Sequence, residues 1–223
     1  MGLQLPLGVG LPDSAVFATY YAGPNAGAVA AVAGAEPILF LVGAAGVGKT
    51  HLLQAACAAT TGAGLRAALL PLAQHSSLDP AVIDGWDAFD LVCVDDVDAV
   101  AGDAAWEHAL FGIYNALRAR GGRWLAAGAD VPSVLGFALP DLASRLAAGP
   151  VFVLQPLDDD GRVAALTLRA HQRGFELPEE VARYLLKHAP RDMNSLYRVL
   201  DDIDRASLSQ QRKVTIPLLK SIL

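Results

Sequence analysis

Positive charge is scarce in this chain: 17 lysines and arginines stand against 23 aspartates and glutamates, a net charge of −6. A surface that gripped duplex DNA through its phosphates would be basic, so strong direct DNA binding is not expected. Cysteine is scarcer still, with 2 residues, Cys57 and Cys93. Both fall in apolar stretches, which argues against a disulfide framework or a thiolate metal site and leaves them as small core residues. Such thiol usage suits a reducing compartment. A long uninterrupted apolar run is also missing. The stretch 26–47 is broken by Glu36-Pro37 and runs into a glycine-rich loop, so no membrane span is expected. The N-terminus shows no secretory signal, and a cytoplasmic location is the expectation. No internal repeat or low-complexity tract appears. What is abundant is apolar side chain: 53% of 223 residues, enough for a sizeable core in one large domain, or a core domain with a small appendage.

The chain is organised around Gly43-Ala44-Ala45-Gly46-Val47-Gly48-Lys49-Thr50. The pattern is glycine, four residues, then Gly-Lys-Thr, which is the P-loop spacing. The apolar run 38–42 before it predicts a buried strand, and His51 to Ala58 after it predicts a helix with Leu52, Ala55 and Ala56 on one face. Strand, glycine loop and helix are the context the motif requires. Glycines let backbone N–H groups turn inward and cradle phosphate oxygens. In this motif Lys49 reaches the β- and γ-phosphates and the Thr50 hydroxyl ligates Mg²⁺. ADP or ATP with Mg²⁺ is therefore the expected ligand.

Taken in order, the chain begins with Leu3-Gln4-Leu5-Pro6-Leu7, ahead of any regular element. A leucine-rich tail of this kind either docks in a groove or sheet edge of a partner or folds back on its own core. Phe17, Tyr20 and Tyr21 follow, either near an adenine ring or in the core, and then a weakly apolar helix over 25–34. Residues 65–72 predict a second strand, 91–94 a third, 123–127 a fourth and 151–154 a fifth. The third strand ends in Asp95-Asp96. A carboxylate fixed at a strand end after a P-loop suits a Mg²⁺ and water site, with a helix cap as the alternative. Asp98 and Asp103 read as loop or cap residues. Residues 104–120 form an amphipathic helix with Trp106, Leu110, Ile113, Tyr114 and Leu117 inward, ended by Gly121-Gly122. Asp130 follows the fourth strand, either sensing a γ-phosphate or serving a turn. A short helix over 139–146 places Arg145 near its end. Strands alternating with helices predict a mostly parallel five-stranded sheet. Beyond 156–160 the pattern is helical only: 158–172, 178–188, 192–209 and 216–223. Pro178 suits a first helical position and Thr215 an N-cap. The domain reading is a tail over 1–10, a nucleotide-binding α/β domain over 11–156 and a helical lid over 157–223.

A P-loop, an acidic strand end, a later arginine and a helical lid together look like an AAA+ ATPase. More specific clusters are Leu139-Pro140-Asp141-Leu142-Ala143-Ser144-Arg145-Leu146, Leu154-Gln155-Pro156-Leu157, Arg173-Gly174-Phe175-Glu176-Leu177-Pro178 and Asp204-Arg205-Ala206-Ser207, with Trp106 and Tyr114-Asn115 in the central helix. Over essentially its whole length the chain resembles the Hda family, bacterial regulators homologous to the replication initiator DnaA. The resemblance implies a P-loop AAA+ core with an all-helical lid. It implies a negative regulator that docks on the DNA-loaded sliding clamp, the β subunit of DNA polymerase III, through Leu3, Gln4, Leu5, Pro6 and Leu7. It implies stimulation of ATP hydrolysis on DnaA by Arg145 in trans, with Asp95, Asp96 and Asp130 as further catalytic positions. His51 and Asn194 would join the P-loop residues on the nucleotide. Gly2 stands where the family's clamp peptide has glutamine, so clamp affinity is expected to be weak. Asn194 stands where the wider family has a lid arginine, with Arg191 and Arg198 nearby but out of register, so any intrinsic ATPase is expected to be weak. The chain ends after the lid without a basic helix-turn-helix segment, which fits a regulator better than an initiator. The competing expectation is an autonomous AAA+ ATPase, such as a helicase loader or an initiator-like replication protein. A homo-oligomer is compatible with either.

Overall fold

A computed structural model describes residues 15–210 and 213–222. Its five strands are β1 (Ile38–Val42), β2 (Ala67–Pro71), β3 (Leu91–Asp95), β4 (Arg123–Gly128) and β5 (Val151–Val153). β1, β3 and β4 are apolar on both faces, the composition of strands covered on both sides. They form one sheet in the order β2-β3-β4-β1-β5, with every pair parallel. The carboxyl ends of the strands therefore share one edge, where open α/β sheets hold their ligands. β1 delivers the glycine loop to that edge and β3 delivers Asp95.

Alternation along the strands splits the core into two layers. Leu39 and Leu41 of β1 face α1 (Ala26–Ala33) and α2 (Lys49–Gly62), together with Leu52, Leu53, Cys57 and Cys93. Phe40 and Val42 face the opposite layer, with Trp106, Leu110 and Leu117 of α3 (Ala104–Ala119) and Leu142 and Leu146 of α4 (Pro140–Leu146). Cys57 and Cys93 are buried free thiols. Asp103 is the N-cap of α3: its Oδ1 accepts the N–H of Ala105 at 3.0 Å and of Trp106 at 3.2 Å. The helix ends where Gly122 passes under Leu117; a Cβ there would lie 2.4 Å from the leucine Cδ1.

The C-terminal part is helical: α5 (Asp159–Gln172), α6 (Glu179–His188), α7 (Met193–Gln210) and α8 (Ile216–Lys220). Leu166, Leu185, Leu196, Leu200 and Ile203 form its own core. Asp158 caps α5 by accepting the Gly161 N–H at 2.8 Å. Two ends differ from expectation. Pro178 is the N-cap of α6 rather than its first helical residue, with ψ at 141°. α8 stops at Lys220 in a turn. The segment between β2 and β3 holds three 3-10 turns, Leu72–Ser77, Pro80–Ile83 and Trp86–Ala88, that periodicity did not reveal. They are too short to show a repeat and are punctuated by Pro80 and Gly85. Among the described residues, no helix is long and apolar enough to cross a membrane.

Candidate functional site

The loop from Gly43 to Gly48 is shaped by positions that only glycine fills. Gly46 and Gly48 have φ of +77° and +108°, in the region side chains avoid. A Cβ on Gly48 would also come 2.8 Å from Tyr20 Cε2. α2 begins at Lys49, directly after the loop, so its first N–H groups and the positive end of its dipole face the loop's concavity. The concavity suits an anion such as phosphate. Lys49 is buried, and its Nζ donates to the carbonyls of Gly43 at 2.6 Å and Ala44 at 3.2 Å. Two strands away, Asp95 Oδ2 accepts the Thr50 hydroxyl at 2.5 Å. Burial pushes the Asp95 carboxyl above the usual carboxylate range; the Thr50 hydrogen bond opposes this and neighbouring Asp96 reinforces it. Asp96 is the one non-glycine residue with positive φ among those described, at 52°, a conformation aspartate tolerates.

No group of three or more His, Cys, Asp and Glu gathers to hold a metal among the described residues. Mg²⁺ does not need one: it keeps several waters and takes one or two carboxylates plus phosphate oxygens. The adjacent Thr50 hydroxyl and Asp95 carboxylate fit that donor set.

A cavity of about 330 Å³ lies between the loop, the segment around Tyr20 and Tyr21, and the lid. Ala44, Ala45, Gly46, Val47, Gly48, Thr50, His51 and Asn194 all line it, so eight of the residues expected on the nucleotide share one space. Gly43 and Lys49 sit behind this lining, joined by their hydrogen bond. Tyr20 and Tyr21 line the cavity too, whereas Phe17 packs with the α1–α2 core layer. His51 is fixed by Thr19 Oγ1 at 3.1 Å and the Val16 carbonyl at 3.2 Å, and its ring meets Tyr20 edge-on at 5.3 Å. Burial holds its pKa below the ordinary histidine value.

Arg145 and Asp130 lie elsewhere. Arg145 is exposed near the end of α4, does not line the cavity, and has no ion-pair partner among the described residues. Asp130 is exposed, and its Oδ1 accepts the following Val131 N–H at 2.7 Å. The group that ties down the end of β4 is instead Asp98, whose Oδ1 accepts the Ala129 N–H at 2.9 Å. Leu3, Gln4, Leu5, Pro6 and Leu7 lie outside the described residues. Of the lid side chains that line the cavity, sequence reasoning missed Arg162, Arg169 and Tyr197, and it set Arg191 aside as out of register. It also missed Glu107, which is wholly buried on α3 and accepts three backbone N–H groups. No spacing marks these residues, since what gives each its role, the P-loop opposite the lid side chains and the amides of Ala138 and Leu139 for Glu107, lies far off in the chain.

Residues 159–223 match the family model of the Hda lid domain. Among solved structures, the chain is similar to domain III of the replication initiation protein DnaA from Thermotoga maritima. The two are 22% identical, with 95% of this chain and 96% of that one covered and a TM-score of 0.80. AMPPCP-bound DnaA from Aquifex aeolicus is also 22% identical, covering 89% of this chain and 68% of its own, with a TM-score of 0.71. RuvB of Thermotoga maritima is 14% identical over 91% of this chain, with a TM-score of 0.64. The core thus shares its fold with DnaA domain III, and the helices after it match the Hda lid domain model.

Proposed function

We propose, from the match to the Hda lid domain and the fold shared with DnaA domain III, that this chain is a DnaA-related AAA+ protein and a nucleotide-bound negative regulator of replication initiation. It docks on the DNA-loaded sliding clamp through the leucine tail 3–7 and stimulates hydrolysis of ATP bound to DnaA. Lys49, Thr50 and the loop amides hold ADP or ATP, and Thr50 with Asp95 holds Mg²⁺. The observation that carries the regulatory reading is Arg145, exposed on α4 with no ion-pair partner among the described residues and outside the cavity beside its own P-loop. A guanidinium placed there is available to a nucleotide on a neighbouring molecule. Arginine stays charged and offers phosphate oxygens a planar fork, and fingers of this kind are worth on the order of 10³–10⁵ in rate.

The competing reading is an autonomous ATPase, favoured by the direct Thr50–Asp95 hydrogen bond. The deciding experiment follows the nucleotide on ATP-loaded DnaA, with clamps loaded on DNA, in the presence and absence of this protein. Conversion to ADP-DnaA that depends on the protein supports the regulatory reading. Robust turnover of ATP by the protein alone, with DnaA left in its ATP form, favours the alternative.

A further inference from the structure

The lid faces the P-loop with cations that the loop itself does not supply. Arg162 on α5 and Arg191, in the turn before α7, both line the cavity that Ala44 to Gly48 and Thr50 line from the other side. The two arginines converge on one carboxylate. Arg162 Nη1 donates to Asp159 Oδ1 at 2.8 Å, and Arg191 Nη2 donates to Asp159 Oδ2. Asp159 is half-exposed at the start of α5, and solvent-exposed ion pairs of this kind are weak. Asn194 lines the same cavity but carries no charge. A third lining arginine, Arg169, lies over the Tyr197 ring at 5.4 Å. Among the described residues, the one carboxylate lining the cavity, Asp192, is engaged as a cap: its Oδ1 accepts the Ser195 N–H at 2.8 Å.

We propose that Arg162 and Arg191 are the lid's phosphate-binding pair, held on Asp159 and exchanging that carboxylate for the terminal phosphate oxygens of a nucleoside polyphosphate in the P-loop. The inference rests on the nucleotide reading above and adds to it the lid residues that meet the phosphates. The physical case is competition between acceptors. A single exposed carboxylate is a modest partner for two guanidinium groups. A polyphosphate carries more charge, sits in a partly enclosed cavity, and presents tetrahedral oxygens that match the guanidinium fork. The Asp159 contacts keep both side chains ordered on the cavity wall, which lowers the entropy they lose on binding. A triphosphate reaches further from the P-loop than a diphosphate, so the pair discriminates in its favour.

The bland account of the same geometry is a lid brace, with Asp159 tying α5 to the turn before α7. Mutation separates the two because they assign Asp159 opposite signs. Calorimetric titration with Mg-ADP and with the Mg complex of a non-hydrolysable ATP analogue is run on the wild type, Arg162→Ala, Arg191→Ala and Asp159→Asn, each with a melting temperature. The expected result is a loss of about tenfold in triphosphate affinity for either arginine variant, with a smaller loss for ADP. Asp159→Asn keeps or gains affinity, because it releases the pair. Triphosphate affinity unchanged in both arginine variants overturns the inference. So does Asp159→Asn losing affinity in step with the arginine variants, which is the signature of a brace. A wild type that binds neither nucleotide refutes the underlying P-loop reading, and the pair with it.

Discussion

Asp95 is 2% exposed, and its carboxylate meets the Thr50 hydroxyl and the Asp96 N–H. Two hydrogen bonds do not replace the hydration that burial removes, so its pKa is raised. The sign of the stability effect follows. Between the unfolded and the higher folded pKa the native state binds more proton than the unfolded state, so stability falls as pH rises through that interval. Asp95→Asn removes the charge and keeps an acceptor for Thr50. We expect it to match the wild type at pH below the carboxylate range and to melt higher at neutral pH. The same variant should lose Mg²⁺ dependence of nucleotide binding, read by calorimetry with and without the cation. A variant that melts lower at neutral pH would mean the buried charge is compensated. Lys49 makes a different prediction. Its Nζ is already bonded to two loop carbonyls, so Lys49→Ala removes both an internal tie and the cation nearest the cradle. ADP or ATP affinity should fall at least tenfold, about 1.4 kcal/mol, in a calorimetric titration.

At the scale of elements, α3 and α4 are joined by one buried side chain. Glu107 is fully buried, and its two oxygens accept from Gly102 N at 2.6 Å, Ala138 N at 3.0 Å and Leu139 N at 2.6 Å. Leu139 is the N-cap of α4, which carries Arg145. The carboxylate thus fixes the entry to α4 from the first turn of α3. Glu107→Ala would leave three backbone donors without acceptors, and an orphaned buried donor costs about 1–3 kcal/mol. We expect a loss of about 3 kcal/mol or more, seen as a lower urea midpoint at unchanged slope. An equal midpoint would show that water or a shifted loop replaces the carboxylate.

For the whole molecule, the exposed arginine on α4 stands apart from the nucleotide cavity, and the leucine tail 3–7 is the second candidate contact with a partner. Arg145→Ala should leave the melting temperature and ADP affinity as they are, since the side chain is exposed and has no ion-pair partner among the described residues. It should abolish stimulation of DnaA-bound ATP hydrolysis, and Arg145→Lys should restore little because a point charge lacks the fork. Stimulation at the wild-type level would place the finger on another residue. Deleting residues 2–7 should remove co-elution with the sliding clamp and leave nucleotide affinity unchanged. A drop in melting temperature with clamp binding intact would show a tail that folds back on the core.

Local chemistry and short periods were legible before any fold was known. Gly43 to Thr50 marked the loop because its backbone geometry and its cation admit few other residues. The apolar runs at 38–42 and 91–94 marked buried strands, and the 3.6-residue spacing from Trp106 to Leu117 marked the inward face of α3. Asp95 could be read because strand ends fix carboxylates in a known place relative to a P-loop. The tertiary structure decided what depends on distant segments meeting. Glu107 sits on an amphipathic helix and, read locally, is a solvent-facing charge. It became a buried anchor only because residues 31 and 32 positions away turn their amides toward it. Arg162 is unremarkable in sequence and Arg191 reads there as out of register; only the placement of the lid beside the loop sets both on the cavity wall. Gly48 is required by its φ, which the motif implies, and also by Tyr20, which the motif does not. Periodicity encodes which face of an element is buried; which partner buries it is settled by how the layers pack.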